Sequence, residues 1–341
     1  MALAPRTILV LNHRHMGDVL CSFPALLALR CRWPEARIIN VAPPMPLSVL
    51  TGSGLSDRDL PLRKNWRSAL RLACTLRLEK PDLAICLANV RRVRVLARLS
   101  GAPERVGYTG GKSQDALTQT YDRIIEKGPP WLDDDLHLVE SLGCPAVQRH
   151  IVGLLALSSE ERAVAERFWQ EAGCAVNERV VAFNLGASDI RRHWGIEKFA
   201  QVANALVQSF NVRLLAIGGP EDVSAVERFQ ALLQQPALQS TGQFSIRQSA
   251  ALLERCELLV TNDTGPMHLS IAVNTPVVAL FGPVAAAHRL PSGYGHIGLE
   301  KNAICRQLRA FGCRDEKTRP LCECLLSITP EEVIAAASTL L

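Results

Sequence analysis

The residues best suited to chemistry lie in short polar turns that directly follow apolar runs. Between Leu259 and Phe281 one such run ends in Asp263, Thr264 and Gly265, with His268 one helical turn further on. A bare glycine backbone beside a donor-bearing imidazole suits a phosphorylated ligand, because the free N–H groups and positive dipole end of a helix start attract anions. Asp263 and Thr264 taken alone would serve equally well as helix caps. A second turn has Gly186, Ala187 and Ser188, then Arg191, Arg192, His193 and Trp194. Small backbone followed by a cation is what a diphosphate needs, although a surface loop anchored by Trp194 has the same make-up. A third turn, Gly218 to Asp222, ends in carboxylates able to accept hydrogen bonds from ribose hydroxyls. One such turn is a weak signal, whereas three at strand ends in one half of the chain point to a nucleotide-linked ligand.

The first half offers a different chemistry. Met16, Gly17 and Asp18 close the polar turn after Thr7 to Leu11 and open a helix with apolar residues at Leu20, Phe23, Leu26, Leu27 and Leu29. Gly17 permits close approach of a ligand. Asp18 reads either as a plain N-cap or as a carboxylate at the mouth of a cleft that takes a proton from a hydroxyl nucleophile. Arg91, Arg92, Arg94 and Arg98 lie in a helical stretch over 89–98 after another apolar run. Such a charge run is either a solvated face or a grip on carboxylate or phosphate in an acidic acceptor.

These turns need strands and helices to hold them, and the pattern supplies both. Strands are expected at Thr7–Leu11, Arg37–Ala42, Asp82–Leu87 and Arg105–Tyr108, then at Val180–Asn184, Arg213–Ile217, Leu258–Val260 and Val277–Leu280. Helices are expected at Trp66–Leu78, His137–Leu142, Glu161–Ala172, Ile196–Ser209, Val223–Leu233, Ser245–Leu253 and Met267–Val273, with a last one starting near Thr329 and Pro330. The segment from Gly128 to Asp135 reads as irregular. Strands alternating with helices in both halves imply two doubly wound α/β domains facing each other across a cleft. The boundaries expected are 1–155, 156–325 and a closing helix at 326–341.

A chain of 341 residues suits two cores better than one. The net charge of +5, with arginines spread among apolar helices, favours anionic small molecules or a membrane surface over nucleic acid. The apolar segment near the amino terminus is too short for a signal sequence or a spanning helix, so a cytoplasmic location is expected. Seven of the eleven cysteines, Cys21, Cys31, Cys74, Cys86, Cys144, Cys174 and Cys256, are scattered through apolar stretches as small hydrophobes in a reducing compartment. Cys305, Cys313, Cys322 and Cys324 cluster near the end, but without paired C-x-x-C spacing, so no metal ligand is assigned.

The turn at Met16–Asp18 with Pro24, the segment from Gly186 to Trp194, the GGPED turn, and TNDTGPMHL followed by TPVVALFGP together resemble the lipopolysaccharide heptosyltransferase family, in order and spacing over nearly the whole chain. The resemblance implies two Rossmann-like domains of the GT-B glycosyltransferase type, an ADP-heptose donor, no cofactor, and inverting transfer without a metal. It implies Asp18 as general base, with Met16 and Gly17 beside it. It places Arg192 at the diphosphate, Asp222 at the ribose, and Asp263, Thr264, Gly265 and His268 at the nucleotide phosphates and sugar, with Gly186 and Ser188 lining the donor. The acceptor implied is an acidic glycolipid or glycan met by Arg14, Arg91 and Arg92, with peripheral contact at the cytoplasmic face of the inner membrane. His13, Arg14 and His15 depart from the small or apolar residues common there, and Arg192 stands where the family often has lysine. A non-lipopolysaccharide acceptor stays open on that account. The missing G-x-G-x-x-G argues against a nicotinamide-dependent enzyme, and the diphosphate-type turns argue against a non-catalytic sugar binder.

Overall fold

The computed structural model describes residues 4–123, 131–187, 189–301 and 323–341, and the chain divides into two compact units, Met1–Ala156 and Leu157–Leu341. The first unit contains strands β1 (Thr7–Leu11), β2 (Arg37–Ala42), β3 (Arg58–Pro61), β4 (Leu83–Cys86), β5 (Glu104–Tyr108) and β6 (Gln119–Tyr121). All pair in parallel, in the order β3-β2-β1-β4-β5-β6. Apolar runs such as TILVL and LAIC form its centre because helices cover both faces of a parallel sheet, and every residue from Leu83 to Cys86 is buried.

The second unit has β7 (Val180–Asn184), β8 (Arg213–Ala216), β9 (Leu238–Gln239), β10 (Leu258–Asn262), β11 (Val277–Phe281) and β12 (Ile297–Glu300). Its order, β12-β11-β10-β7-β8-β9, is again wholly parallel. Counted from the first strand of each unit, both sheets read 3-2-1-4-5-6, the doubly wound Rossmann arrangement. The order reverses between β1 and β4 in one unit and between β7 and β10 in the other, and ligands bind beyond the strand ends at such reversals.

The central strands and long helices lie where the hydrophobic pattern puts them. Strands β3, β6, β9 and β12 were not anticipated, being short, partly polar edge strands with little apolar alternation to mark them. The helix expected from His137 begins instead at Trp131 and runs to Glu140, through the aspartate run read as irregular. Carboxylates near a helix N-terminus oppose its positive dipole end, which makes Asp134 and Asp135 compatible with helix there.

Helix starts are fixed by reciprocal caps. Ser158 Oγ accepts from the Glu161 N–H at 3.2 Å while Glu161 Oε2 accepts from the Ser158 N–H at 2.7 Å. Glu161 also accepts from Nε and Nη2 of Arg247, tying helix Ser159–Glu171 to helix Ile246–Glu254. The core of the second unit gathers Phe183, Trp194, Phe199 and Phe229 with Leu325, Ile328, Val333 and Ala337 from the end of the chain. Trp194, fully buried, stacks edge-on against Phe199 at 5.0 Å and donates its indole N–H to the Ile328 carbonyl at 2.9 Å. Among the described residues no helix is long and apolar enough to cross a membrane.

Candidate functional site

In the second unit the reversal between β7 and β10 brings two of the three polar turns into one crevice. Asn184 ends β7 and Asn262 ends β10, and the register sets Thr261 opposite Asn184. Asn184 Nδ2 donates to the Ile217 carbonyl at 3.0 Å, leaving Oδ1 to accept from Thr264 Oγ1 at 3.0 Å. Asn262 Nδ2 donates to the Leu185 carbonyl at 3.0 Å. Buried amides thus bolt the strand ends together and fix the loops that follow.

Thr264 occupies the N-cap position of helix Gly265–Ala272, yet its hydroxyl makes no capping bond because it is committed to Asn184. The first N–H groups of this helix therefore lack a side-chain cap, which leaves them available to an anion. Asp263 does not cap the helix either. It is buried, and Arg192 Nη1 lies 3.3 Å from its Oδ2 and donates to its backbone carbonyl at 3.1 Å. Asp263 Oδ2 and Asn262 Oδ1 are buried acceptors without a hydrogen-bond partner among the described residues. Burial pushes the His268 imidazole down to about 4, with Arg289 and Arg192 acting in the same direction and Asp263 opposing, so the ring is neutral at pH 7.

The third turn reaches the same crevice through Asp222. Its Oδ2 accepts from the Gly219 N–H at 3.0 Å, and an added Cβ at Gly186 would lie 1.9 Å from its Oδ1. Glycine at 186 is therefore required by close approach of a carboxylate. Burial raises the Asp222 carboxyl above the ordinary carboxylate range, Glu221 adds to this, and the Gly219 N–H and His193 oppose it. His193 Nε2 lies 2.8 Å from the Ala187 carbonyl and holds the Gly186 turn in place. Ser188 lies outside the described residues, as do Cys305, Cys313 and Cys322; Cys324 is buried in the core.

In the first unit Asp18 is the third residue of helix Met16–Cys21, half-buried, beyond β1. The cap position belongs to His15, which makes no side-chain bond, so Asp18 is not the N-cap. Met16 and Gly17 precede it in the same turn. Beside them is a network that spacing did not reveal. His13 Nε2 lies 2.6 Å from Asp135 Oδ2, and the Tyr108 hydroxyl donates to Asp135 Oδ1 at 2.9 Å. Arg123 stacks over the Tyr108 ring at 4.4 Å. Burial lowers the affinity of His13 for its proton, but Asp135, by charge and hydrogen bond, and Asp18 more weakly, leave it raised overall. Asn12 accepts from the His13 N–H at 2.7 Å and donates to Ser22 Oγ at 2.9 Å, which fixes the turn.

The four arginines after β4 divide by role. Arg94 is fully buried and donates to the Tyr108 carbonyl at 2.6 Å, so it is a strut rather than a ligand grip. Arg92 donates to the Arg63 carbonyl. Arg91 and Arg14 are exposed at the same edge of the sheet as Asp18, and Arg98 lies 3.7 Å from Asp115. Among the described residues no group of three or more His, Cys, Asp or Glu side chains is placed to hold a metal ion.

Residues 69–319 match the family described as Glycosyltransferase family 9 (heptosyltransferase). The chain is 24% identical over 340 residues to lipopolysaccharide heptosyltransferase 3 of Escherichia coli, covering 96% of this chain and 97% of that protein. A glycosyl transferase family 9 structure from Veillonella parvula superposes with a TM-score of 0.88 at 26% identity, covering 100% of this chain and 98% of the other. The E. coli ADP-heptose lipopolysaccharide heptosyltransferase II structure gives 0.81 at 21% identity over 98% of both chains.

Proposed function

Because the chain belongs to glycosyltransferase family 9 (heptosyltransferase), we propose that it moves heptose from ADP-heptose to a hydroxyl of an acidic glycolipid of the lipopolysaccharide inner core, with inversion and without a metal ion. The observation that carries this reading is the crevice between β7 and β10. It combines an uncapped helix start at Gly265, a cation at Arg192, buried acceptors at Asp263 and Asn262, and the half-buried carboxylate of Asp222. That set matches a nucleoside diphosphate sugar: N–H groups and guanidinium for the diphosphate, carboxylates and amide oxygen for the hydroxyls. The ADP-heptose named for the E. coli relative supports the choice of donor.

Asp18 takes the proton from the acceptor hydroxyl as that oxygen bonds to the anomeric carbon. The bond from that carbon to the diphosphate oxygen breaks on the opposite face, and ADP leaves with the electron pair. Arg192 and the first N–H groups of helix Gly265–Ala272 take up the charge that develops on the leaving diphosphate. Neutral His268 adds a hydrogen-bonding group without adding a positive charge. Arg14, Arg91 and Arg92 meet the anionic groups of the acceptor, and the enzyme works at the cytoplasmic face of the inner membrane.

The test is direct. Purified protein is incubated with ADP-heptose and a panel of truncated core acceptors, with product read by mass spectrometry, while thermal shift compares ADP, UDP and NAD. Stabilisation by ADP alone, transfer to one core acceptor, and loss of transfer with retained ADP binding in Asp18→Asn are expected. A chain that binds UDP or NAD in preference would overturn the choice of donor.

A further inference from the structure

Helix Trp66–Leu78 buries Leu72, Ala73 and Leu76 against the first sheet, as an amphipathic helix should. Its outer face is not polar. Trp66 is 67% exposed, Leu70 51% and Leu78 83%, and with exposed Cys74 they recur at every fourth residue as one stripe along the helix. The neighbouring helix Arg91–Leu99 continues the pattern, with Val90, Val95 and Leu99 outward.

Cations frame these apolar residues. Arg63, Lys64, Arg67, Arg71 and Arg77 are exposed around the first stripe and Arg91 beside the second. The sequence has no acidic residue from Leu60 to Leu78, nor from Leu83 to Pro103. Glu79, at the far end of the first helix, is already held by Arg37 and Arg58, and Asp115 lies 3.7 Å from Arg98. Arg67 lies over the Trp66 ring at 5.5 Å, so the indole and a guanidinium are presented together. Apolar side chains ringed by unneutralised cations, with an indole at the rim, are what the boundary between anionic headgroups and acyl chains accepts.

Topology sets where this face points. In a parallel sheet each helix begins at the carboxyl end of the strand before it, so Trp66 after β3 and Arg91 after β4 start at the edge where the Asp18 turn leaves β1. Arg92 donates to the Arg63 carbonyl and joins the two helix starts. We infer that this edge, formed by Arg63, Lys64, Trp66, Arg67, Leu70 and Arg71, docks on an anionic lipid bilayer. The inference rests on the glycolipid acceptor proposed above, since a sugar tethered to lipid stays within a few residues' reach of the headgroups. An acidic protein face or a second copy of the chain is the competing occupant.

The test uses the full chain and vesicles without donor or acceptor. Co-sedimentation with vesicles containing phosphatidylglycerol is compared with vesicles of phosphatidylcholine alone, at low and high salt. Binding to the anionic vesicles only, weakened by salt, is expected. Arg67→Gln with Arg71→Gln should lower it by roughly tenfold or more. Trp66→Ser with Leu70→Ser should do likewise, while transfer to a water-soluble truncated acceptor and the circular dichroism spectrum stay unchanged. Equal binding to neutral vesicles, or binding indifferent to both double variants, overturns the inference. So does a self-association, seen by analytical ultracentrifugation, that Trp66→Ser abolishes while vesicle binding persists. Vesicle binding without heptose transfer would instead count against the proposed function alone.

Discussion

His13 and Asp135, 122 residues apart in sequence, form a 2.6 Å pair between Nε2 and Oδ2 beside the Asp18 turn. Asp135 also accepts from Tyr108, whose ring carries Arg123, while Asp18 adds a weaker pull on the imidazole. The pair raises the His13 pKa above 6.5 against the opposing effect of burial. The folded chain therefore holds this proton more tightly than the unfolded one. Its stabilisation is fully present below pH 6.5 and is lost as pH rises through the raised value. Asp135→Asn should move the His13 midpoint down, as followed by NMR of the ring protons, and cost about 2 kcal/mol at pH 6. An unchanged midpoint would show that Asp135 does not hold the proton on this ring.

Gly186→Ala should expel the Asp222 carboxylate, because the new Cβ would lie 1.9 Å from Oδ1 and that carboxylate is tethered to the Gly219 N–H. Calorimetric titration with ADP should show affinity falling about tenfold, the loss of one charge-assisted hydrogen bond. Combining it with Asp222→Ala should restore thermal stability but not affinity. Recovery of both would mean that Asp222 contributes nothing to the nucleotide.

Arg192→Ala leaves Asp263 buried without its counter-charge. A destabilisation of about 3 kcal/mol is expected in urea melts, at the low end for a buried pair because the guanidinium is partly exposed. Adding Asp263→Asn should recover part of that loss, and the double-mutant cycle measures the coupling. Arg192→Lys keeps the charge, and an ammonium can replace the single Nη1 that serves both the carboxylate and the backbone carbonyl of Asp263, but it lacks the guanidinium's remaining donors, so nucleotide affinity should fall more than stability.

His268 has its pKa depressed to about 4 by burial, so between pH 6.5 and 4 the unfolded chain takes up a proton that the folded chain refuses. Stability from this residue is complete above pH 6.5 and is lost as pH falls, by about 3 kcal/mol at pH 4. His268→Gln should flatten the acid limb of a stability-against-pH curve. An acid limb of the same slope in that variant would assign the effect elsewhere.

What the sequence disclosed follows physical rules. The central strands were legible because parallel strands buried on both faces read as unbroken apolar runs, as in TILVL and LLVTN. The turns after β1, β7 and β10 were legible because glycine, aspartate and histidine crowd where side chains have nothing to pack. Edge strands such as Gln119–Tyr121 were not, having too few residues to show a period. Asp135 was hidden for another reason: its partners His13 and Tyr108 meet it only through the winding of the sheet, and an aspartate run gives no hint of which member turns inward. Arg94, one of four cations that fit either a solvated face or an anion grip, is likewise singled out as a strut only by tertiary packing.

The indole of Trp194 and the ammonium of Lys198 both reach backbone carbonyls near residue 328, and the helix beyond it plugs the aromatic centre of the second unit. During synthesis, then, this unit cannot close until residue 337 has cleared the ribosomal tunnel, whereas the first unit has its whole core by Ala156. A nascent chain stalled near residue 300 would carry one finished half and one still open to chaperones and proteases.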